Sequence, residues 1–320
     1  MLKYAVWLST PPDMISTLLQ MALLIACGAA WRLFRPGGLT AEQARPVLTT
    51  VVYYLFLPAM VLDVLWQADI GRQSLQYSLL GVAAIAFAMV CIVLTGRLLK
   101  FDRHRLGAMI LAAAFPNVTY LGLPVLEQTY GYWARSVAIQ MDLFATAPFL
   151  FTIGIMVVKR FGDAEAGESK AVLSYLNAPP FWAAFLAVAL NLNQIAMPDW
   201  LDGVLQKLSA GVVPIMLFSL GLALSWKDVT VRNLPYVLPV IVIKMAIMPL
   251  FALWLAGFLS LEGDHKAAAI LETAMPSMVL GIVFCDRYRL DSGLYAMAVT
   301  LTTTLSLITL PFWHQILSVS

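Results

Sequence analysis

Ten long apolar runs joined by short polar connections leave this chain few ways to fold. A helix needs about 20 apolar residues to cross a hydrocarbon core. The runs cover residues 14–33, 45–66, 75–96, 106–128, 134–158, 178–196, 201–224, 234–259, 266–286 and 291–317. They are continuous, whereas a membrane β-barrel would alternate apolar and polar positions. Of the 320 residues, 61% are hydrophobic and only 12% are charged, which excludes a soluble domain. The expectation is an all-α polytopic membrane protein with ten transmembrane helices. Met14–Leu33 has only Lys3 before it and Arg32 and Arg35 at its far end, so it reads as a first transmembrane helix, not a cleaved signal. Cys27, Cys91 and Cys285 lie in or beside apolar runs with no CxxC spacing and read as small core residues, not metal ligands.

Basic residues set the expected orientation. The connections after odd-numbered runs carry fourteen of them, from Arg32, Arg35 and Arg45 through Lys159, Arg160 and Lys170 to Arg287 and Arg289. The opposite side carries four: Lys3, Arg72, Arg135 and Lys266. This places both termini outside an inner (plasma) membrane of bacterial type. Trp7, Trp66, Trp133, Trp200, Trp226 and Trp313 fall near run ends and read as interfacial anchors.

The two halves repeat each other. FLPAM (56–60) in the second run matches VVPIM (212–216) in the seventh, with Pro58 and Pro214 156 positions apart. TAPF (146–149) in the fifth matches TLPF (309–312) in the tenth, with Pro148 and Pro311 163 apart. Between them, FPNVTYLGLP (115–124) and AMPSMVLGIVF (274–284) place a proline, a small polar residue and a glycine inside the fourth and ninth runs, with Pro116 and Pro276 160 apart. Five helices per half make the second half inverted relative to the first. The expected units are 1–158, a cytoplasmic linker over 159–177 bearing Asp163, Glu165 and Glu168, and 178–320. Paired broken helices at corresponding places in inverted repeats mark a transporter site near the midplane.

Proline removes a backbone donor and displaces the carbonyl one turn earlier. Pro116 frees the carbonyl of Ala112, and Pro276 that of Glu272. A new half-helix is expected after each break, its unpaired N–H groups forming a positive pole. Asn117 and Ser277 directly follow the prolines and are suited both to cap those half-helices and to bind a ligand. Gly122 lets backbone approach a substrate closely. Two such N-termini face to face would attract an anion, most simply a carboxylate.

With these motifs the chain resembles the auxin efflux carrier family, which includes plant auxin carriers and bacterial relatives. YYLFLPAMVL (53–62), NAPPFWAAFLAVALNL (177–192), VVPIMLFSLGLAL (212–224) and CDRY (285–288) carry the likeness along the whole chain. The resemblance implies ten helices with crossed broken helices four and nine. It also implies a scaffold from helices 1, 2, 6 and 7, a mobile transport unit from helices 3–5 and 8–10, and a homodimer in the plant branch. The implied activity is movement of a small organic anion by an elevator-like or rocking step. The family's proline-asparagine and glycine-x-proline fall on Pro116, Asn117, Gly122 and Pro124. Gln140 matches a glutamine that lines the plant site. The plant threonine after the asparagine is Val118 here, followed by Thr119, and the long cytoplasmic loop of many plant members is absent.

Asp142, Lys244 and Glu272 lie inside the predicted spans, where a charge is costly and usually faces a cavity or a partner. One carboxylate could bind and release a proton or cation during transport; the alternatives are a fixed structural ion pair of Lys244 with Asp142 or Glu272, or a carboxyl that stays neutral. Glu127 and Asp286, just past the broken helices, read as surface ion-pair residues. TLTTTLS (300–306) either lines an ion path or back-bonds to its own helix. His104, His265 and His314 are at helix ends. The chain has no HExxH, GxSxG, DDxxD or P-loop pattern, so an intramembrane enzyme and a self-contained ATP-driven pump are disfavoured, and no cofactor or nucleic-acid partner is expected. The main expectation is a secondary carrier for a small organic anion. The alternative is a sodium- or proton-coupled symporter like the bile acid:sodium symporters, with Asn117, Thr119, Glu272 and Ser277 as oxygen ligands.

Overall fold

The computed structural model describes residues 12–68, 70–163 and 178–319. Lys3, Trp7, Glu165, Glu168, Lys170 and most of the expected linker lie outside them. The described chain is all-helical, and helix occupies every segment that the apolar runs mark. The elements are α1 (Pro12–Phe34), α2 (Ala41–Trp66), α3 (Arg72–Leu98), α4 (Arg103–Ala114), α5 (Leu123–Tyr130), α6 (Ala134–Phe161), α7 (Pro179–Leu192), α8 (Asp199–Ala223), α9 (Val231–Phe258), α10 (Gly263–Thr273), α11 (Gly281–Arg287) and α12 (Ser292–Val319). Six helical stretches are long and apolar enough to cross a membrane: α2, α3, α6, α8 with its continuation to Asp228, α9 and α12. Leu19–Phe34 and α7 are shorter apolar helices. The fourth and ninth runs are each split in two by proline, so neither forms one continuous helix.

Prolines shape the unbroken helices as well. π-turns occupy Val52–Phe56, Val118–Gly122, Asp142–Thr146 and Ile243–Ile247. Each of these four ends two residues before a proline: Pro58, Pro124, Pro148 and Pro249 respectively, whereas a fifth, Leu150–Gly154, follows Pro148. A proline inside a helix leaves the carbonyl four residues back without its donor, and a wider turn relieves the clash with the ring. Pro214 and Pro311 sit in helix with no such turn.

Two groups of helices form. The first packs α1 and α2 against α8, and α7 against α2. Gly28 of α1 and Gly221 of α8 lie back to back, and a Cβ on either would strike the other helix's backbone. Small residues at such a contact let two helices approach without a hydrophobic drive from water. The second group assembles α3, α4, α6, α9, α10 and α12, with its core in the small-residue faces of α4 and α10 (Ala108, Ala112, Ala268, Ala269). Outside both groups Leu23, Leu94, Phe185 and Trp254 are exposed, the apolar exterior expected of a protein solvated by lipid. Trp313 departs from the interfacial-anchor expectation. It is buried, and its indole donates to the Met245 carbonyl at 2.7 Å, because α12 turns that face toward α9 and away from the lipid.

Candidate functional site

The two broken helices meet where they break. Pro116 and Ser277 form an antiparallel bridge. The Asn117 N–H donates to the Pro276 carbonyl at 2.8 Å, and the Met278 N–H donates to the Phe115 carbonyl at 3.0 Å. Each break thus satisfies backbone groups that the other leaves open, as buried backbone requires in lipid. The carbonyl of Ala112, freed by Pro116, accepts from the Ser277 hydroxyl at 2.8 Å. That of Glu272 accepts from the Met275 N–H at 3.3 Å. The Ser277 N–H donates to Thr302 of α12 at 3.1 Å, so Ser277 holds three elements together. Thr300, Thr302 and Thr304 back-bond to their own helix, and Thr300 also accepts the Ser225 N–H at 3.1 Å. The Thr303 hydroxyl in the same run is buried without a partner.

A cavity of about 150 Å³ opens beside this crossing. Asn117, Thr119 and Asp142 supply polar groups to its wall, and Tyr53, Phe151 and Phe181 supply aromatic surface. Among the described residues, none that lines it is basic. Asn117 is 1% exposed and its amide nitrogen has no partner. Its side chain caps nothing: the π-turn that starts at Val118 is closed by backbone alone, with the Gly122 N–H donating to the Asn117 carbonyl at 3.0 Å. A buried donor left open costs on the order of 1–3 kcal/mol unless a ligand or water fills it. The Thr119 hydroxyl donates to the Asp142 carboxylate, which sits in the π-turn before Pro148.

The structure distributes the other sequence candidates unevenly. Glu272 is fully buried, with neither carboxylate oxygen hydrogen-bonded. It lies directly against Gly122, and a Cβ there would overlap its carboxylate, so glycine at 122 makes room for the acid. Gln140 is buried with its carbonyl oxygen unpartnered, but it is not on the wall of this cavity. Lys244 is fully buried on α9, and among the described residues its ammonium has only the Met248 sulfur, at 3.5 Å, as a hydrogen-bond acceptor. Among the described residues Lys244, Asp142 and Glu272 form no ion pair with one another. The expected second helix pole is displaced: after Pro276 the chain runs non-helically to Gly281, with the Ser277 N–H donating to Thr302 of α12 and the Met278 N–H to the crossing. Only the Asn117 side of the crossing starts a helix at the break.

A polar network escaped the sequence reading. Asp63 of α2 is fully buried and accepts from the Tyr132 hydroxyl at 2.6 Å. Burial, reinforced by this carboxylate, holds the Tyr132 phenol well above its ordinary pKa. Arg135, counted as an exposed loop residue in the orientation argument, is buried; it pairs with Glu127 at 2.7 Å, donates to Ser209 at 2.9 Å and stacks over Tyr132. The Glu127 pair is therefore largely buried, whereas Asp286 makes no ion pair among the described residues. An aspartate inside VLDVLW was the available signal for Asp63; Arg135 and Ser209 lie too far apart in sequence for pattern to join them.

Long apolar helices around a largely apolar cavity with a few polar groups, at the crossing of two broken helices, define an integral membrane protein of helical type. The profile of the membrane transport protein family matches residues 14–170 and 165–314. The chain belongs to that family, the auxin efflux carrier family of the sequence analysis. It is 28% identical to an uncharacterized transporter of Methanocaldococcus jannaschii over 96% of this chain and 99% of that one. It is 26% identical to an uncharacterized transporter of Methanothermobacter thermautotrophicus over 94% and 97%. A protein of Oryza sativa subsp. japonica named "Probable auxin efflux carrier component 5c" is 23% identical over 93% and 95%.

Proposed function

We propose that this protein is a secondary carrier that moves a small organic anion, a carboxylate, by alternating access around the crossing of its broken helices. The observation that carries the reading is Asn117, a buried amide donor without a partner, on the wall of the cavity at that crossing. A carboxylate oxygen is the acceptor such a donor lacks, and the aromatic wall suits an apolar body behind it. Thr119 and Asp142 complete the polar side. Asp142 has no basic partner in the cavity, so an anionic substrate is accommodated when a proton or cation accompanies it. Pro116, Pro276 and Ser277 hold the crossing in shape, and Gly122 admits Glu272. Glu272, Asp142 and Lys244 are the ionisable groups available for coupling, and Gln140 is a further substrate-binding candidate.

In this reading the ten segments form two inverted five-helix repeats, 1–158 and 178–320, joined by a linker over 159–177. The group of α1, α2, α7 and α8 is the scaffold and the remaining helices are the transport unit, moving as an elevator. Both termini lie outside an inner membrane and two copies associate as a homodimer. The sodium-coupled symporter alternative draws on the two open oxygens of Glu272, a ligand type that hard cations take.

Thermal shift of the purified protein tests this, with mono- and dicarboxylates and indole acids, at two pH values, with and without sodium. A ligand selective for the folded state raises the melting temperature. A shift from a carboxylate is expected, its pH or sodium dependence naming the coupling ion. No shift from any acid, together with one from a neutral amphiphile in sodium, would favour the symporter alternative.

A further inference from the structure

A second cavity, of about 330 Å³, adjoins the first, and Tyr120 and Leu280 stand in the walls of both. Its polar lining comes from Arg32, Glu42, Arg45, Thr49 and Ser219. Most of these groups are committed. Arg32 lies 3.3 Å from the Glu42 carboxylate and donates through Nε to the Leu222 carbonyl at 2.9 Å. The Thr49 hydroxyl donates to the Arg45 and Pro46 carbonyls. Two are not committed. Among the described residues the Arg45 guanidinium has no ion pair and no hydrogen-bond acceptor, and its electrostatic neighbours are Tyr120, Arg32 and Asp286. Ser219 is 2% exposed and its hydroxyl has no partner.

The charge balance matters as much as the geometry. Glu42 is matched by Arg32, so Arg45 leaves a net positive charge in the outer cavity. The inner cavity presents the Asp142 carboxylate and no cation. Any anion approaching Asn117 must first overcome the field of Asp142, and a cation one step earlier on the path offsets it. A guanidinium is fitted to carboxylate by its planar set of donors, and a buried hydroxyl beside it can complete the contact.

We propose that Arg45 and Ser219 form a vestibule subsite that captures the carboxylate of the substrate before it passes Tyr120 and Leu280 to Asn117. The proposal rests on the reading of the inner cavity as the transport site. It adds a recognition step made by residues outside the crossing motifs.

Counterflow in proteoliposomes preloaded with unlabelled acid tests it, with radiolabelled indole-3-acetate and, separately, malonate as probes. Arg45→Gln is expected to raise the half-saturating concentration roughly tenfold, leave the maximal rate nearly unchanged and flatten its dependence on ionic strength. Ser219→Ala is expected to raise the half-saturating concentration by about threefold. Arg45→Cys should behave as Arg45→Gln and recover on modification with a cationic methanethiosulfonate reagent, but not with an anionic one. A purely structural arginine would show no such charge-dependent rescue. Should Arg45→Gln fail to fold, Arg45→Cys and Ser219→Ala carry the test. Unchanged half-saturation and salt dependence in these variants, with wild-type counterflow intact, would overturn the subsite and leave the inner site standing. Absence of counterflow in the wild type with either acid would fail the underlying reading, and the subsite with it.

Discussion

At the scale of single residues, three buried polar side chains stand in three different situations. Asn117 has an open donor facing a cavity, so it is a binding group. Glu272 has two open oxygens and no cavity of its own, and is accommodated only because position 122 is glycine. Gly122→Ala is expected to lower the melting temperature markedly, since overpacking costs about 1–3 kcal/mol and here the atom displaced is a buried carboxylate. A denaturation midpoint equal to wild type would refute that packing. An unpartnered buried carboxylate is tolerated with a proton on it or a cation beside it. Glu272→Gln should therefore fold normally and change the pH dependence of transport. An identical pH profile would make Glu272 structural. Lys244 has neither cavity nor counter-ion, only a thioether. Lys244→Met should keep substrate affinity and raise or preserve the melting temperature, because replacing an unpaired buried charge with apolar volume is often stabilising. Loss of binding in that variant would tie Lys244 to the site.

At the scale of elements, much of this architecture was legible and the rest was not, for physical reasons. Proline announces the breaks at Pro116 and Pro276 in sequence, and even the orphaned Ala112 carbonyl follows from covalent geometry. What supplies its donor does not: Ser277 is 165 positions away, and only the crossing brings them together. The π-turns before four prolines are invisible to hydropathy, which registers apolar length and not turn width. The late start of α11 is likewise decided by where Ser277 and Met278 spend their N–H groups. The network of Asp63, Tyr132, Glu127, Arg135 and Ser209 joins α2 and α8 to the chain around α5 and α6, at the opposite end of the path from Arg32 and Arg45. It fastens the two helix groups together on that side. Tyr132→Phe removes a hydrogen bond to a carboxylate, worth about 1.5–3 kcal/mol. It should shift the conformational balance by roughly tenfold or more toward opening at that end. Faster labelling of an introduced cysteine beside Tyr132 would register the shift, and an unchanged labelling rate would show that the network is not a latch.

At the scale of the whole molecule, two helix groups share an interface in which a polar network and a cavity interrupt an apolar core that continues through both groups. Large hydrophobic interfaces resist relative motion, whereas such mixed ones allow it. If one group moves against the other, tying them should stop turnover and spare binding. A bifunctional maleimide bridging cysteines at Asp63 and Tyr132, whose native side chains meet between the two groups, is expected to abolish counterflow while leaving the ligand-induced thermal shift in place. Continued counterflow in the bridged protein would require a mechanism without relative movement of these groups.

The central claim is that Asn117 binds the substrate at the crossing, and its most direct test is calorimetric titration of wild type and Asn117→Ala with the carboxylate that gives the largest thermal shift. Saturable binding to the wild type is predicted, with loss of detectable binding in the variant and a melting temperature within a few degrees of wild type, about what a change under 1 kcal/mol produces. Equal affinity in the two proteins would remove Asn117 from the site and contradict the account.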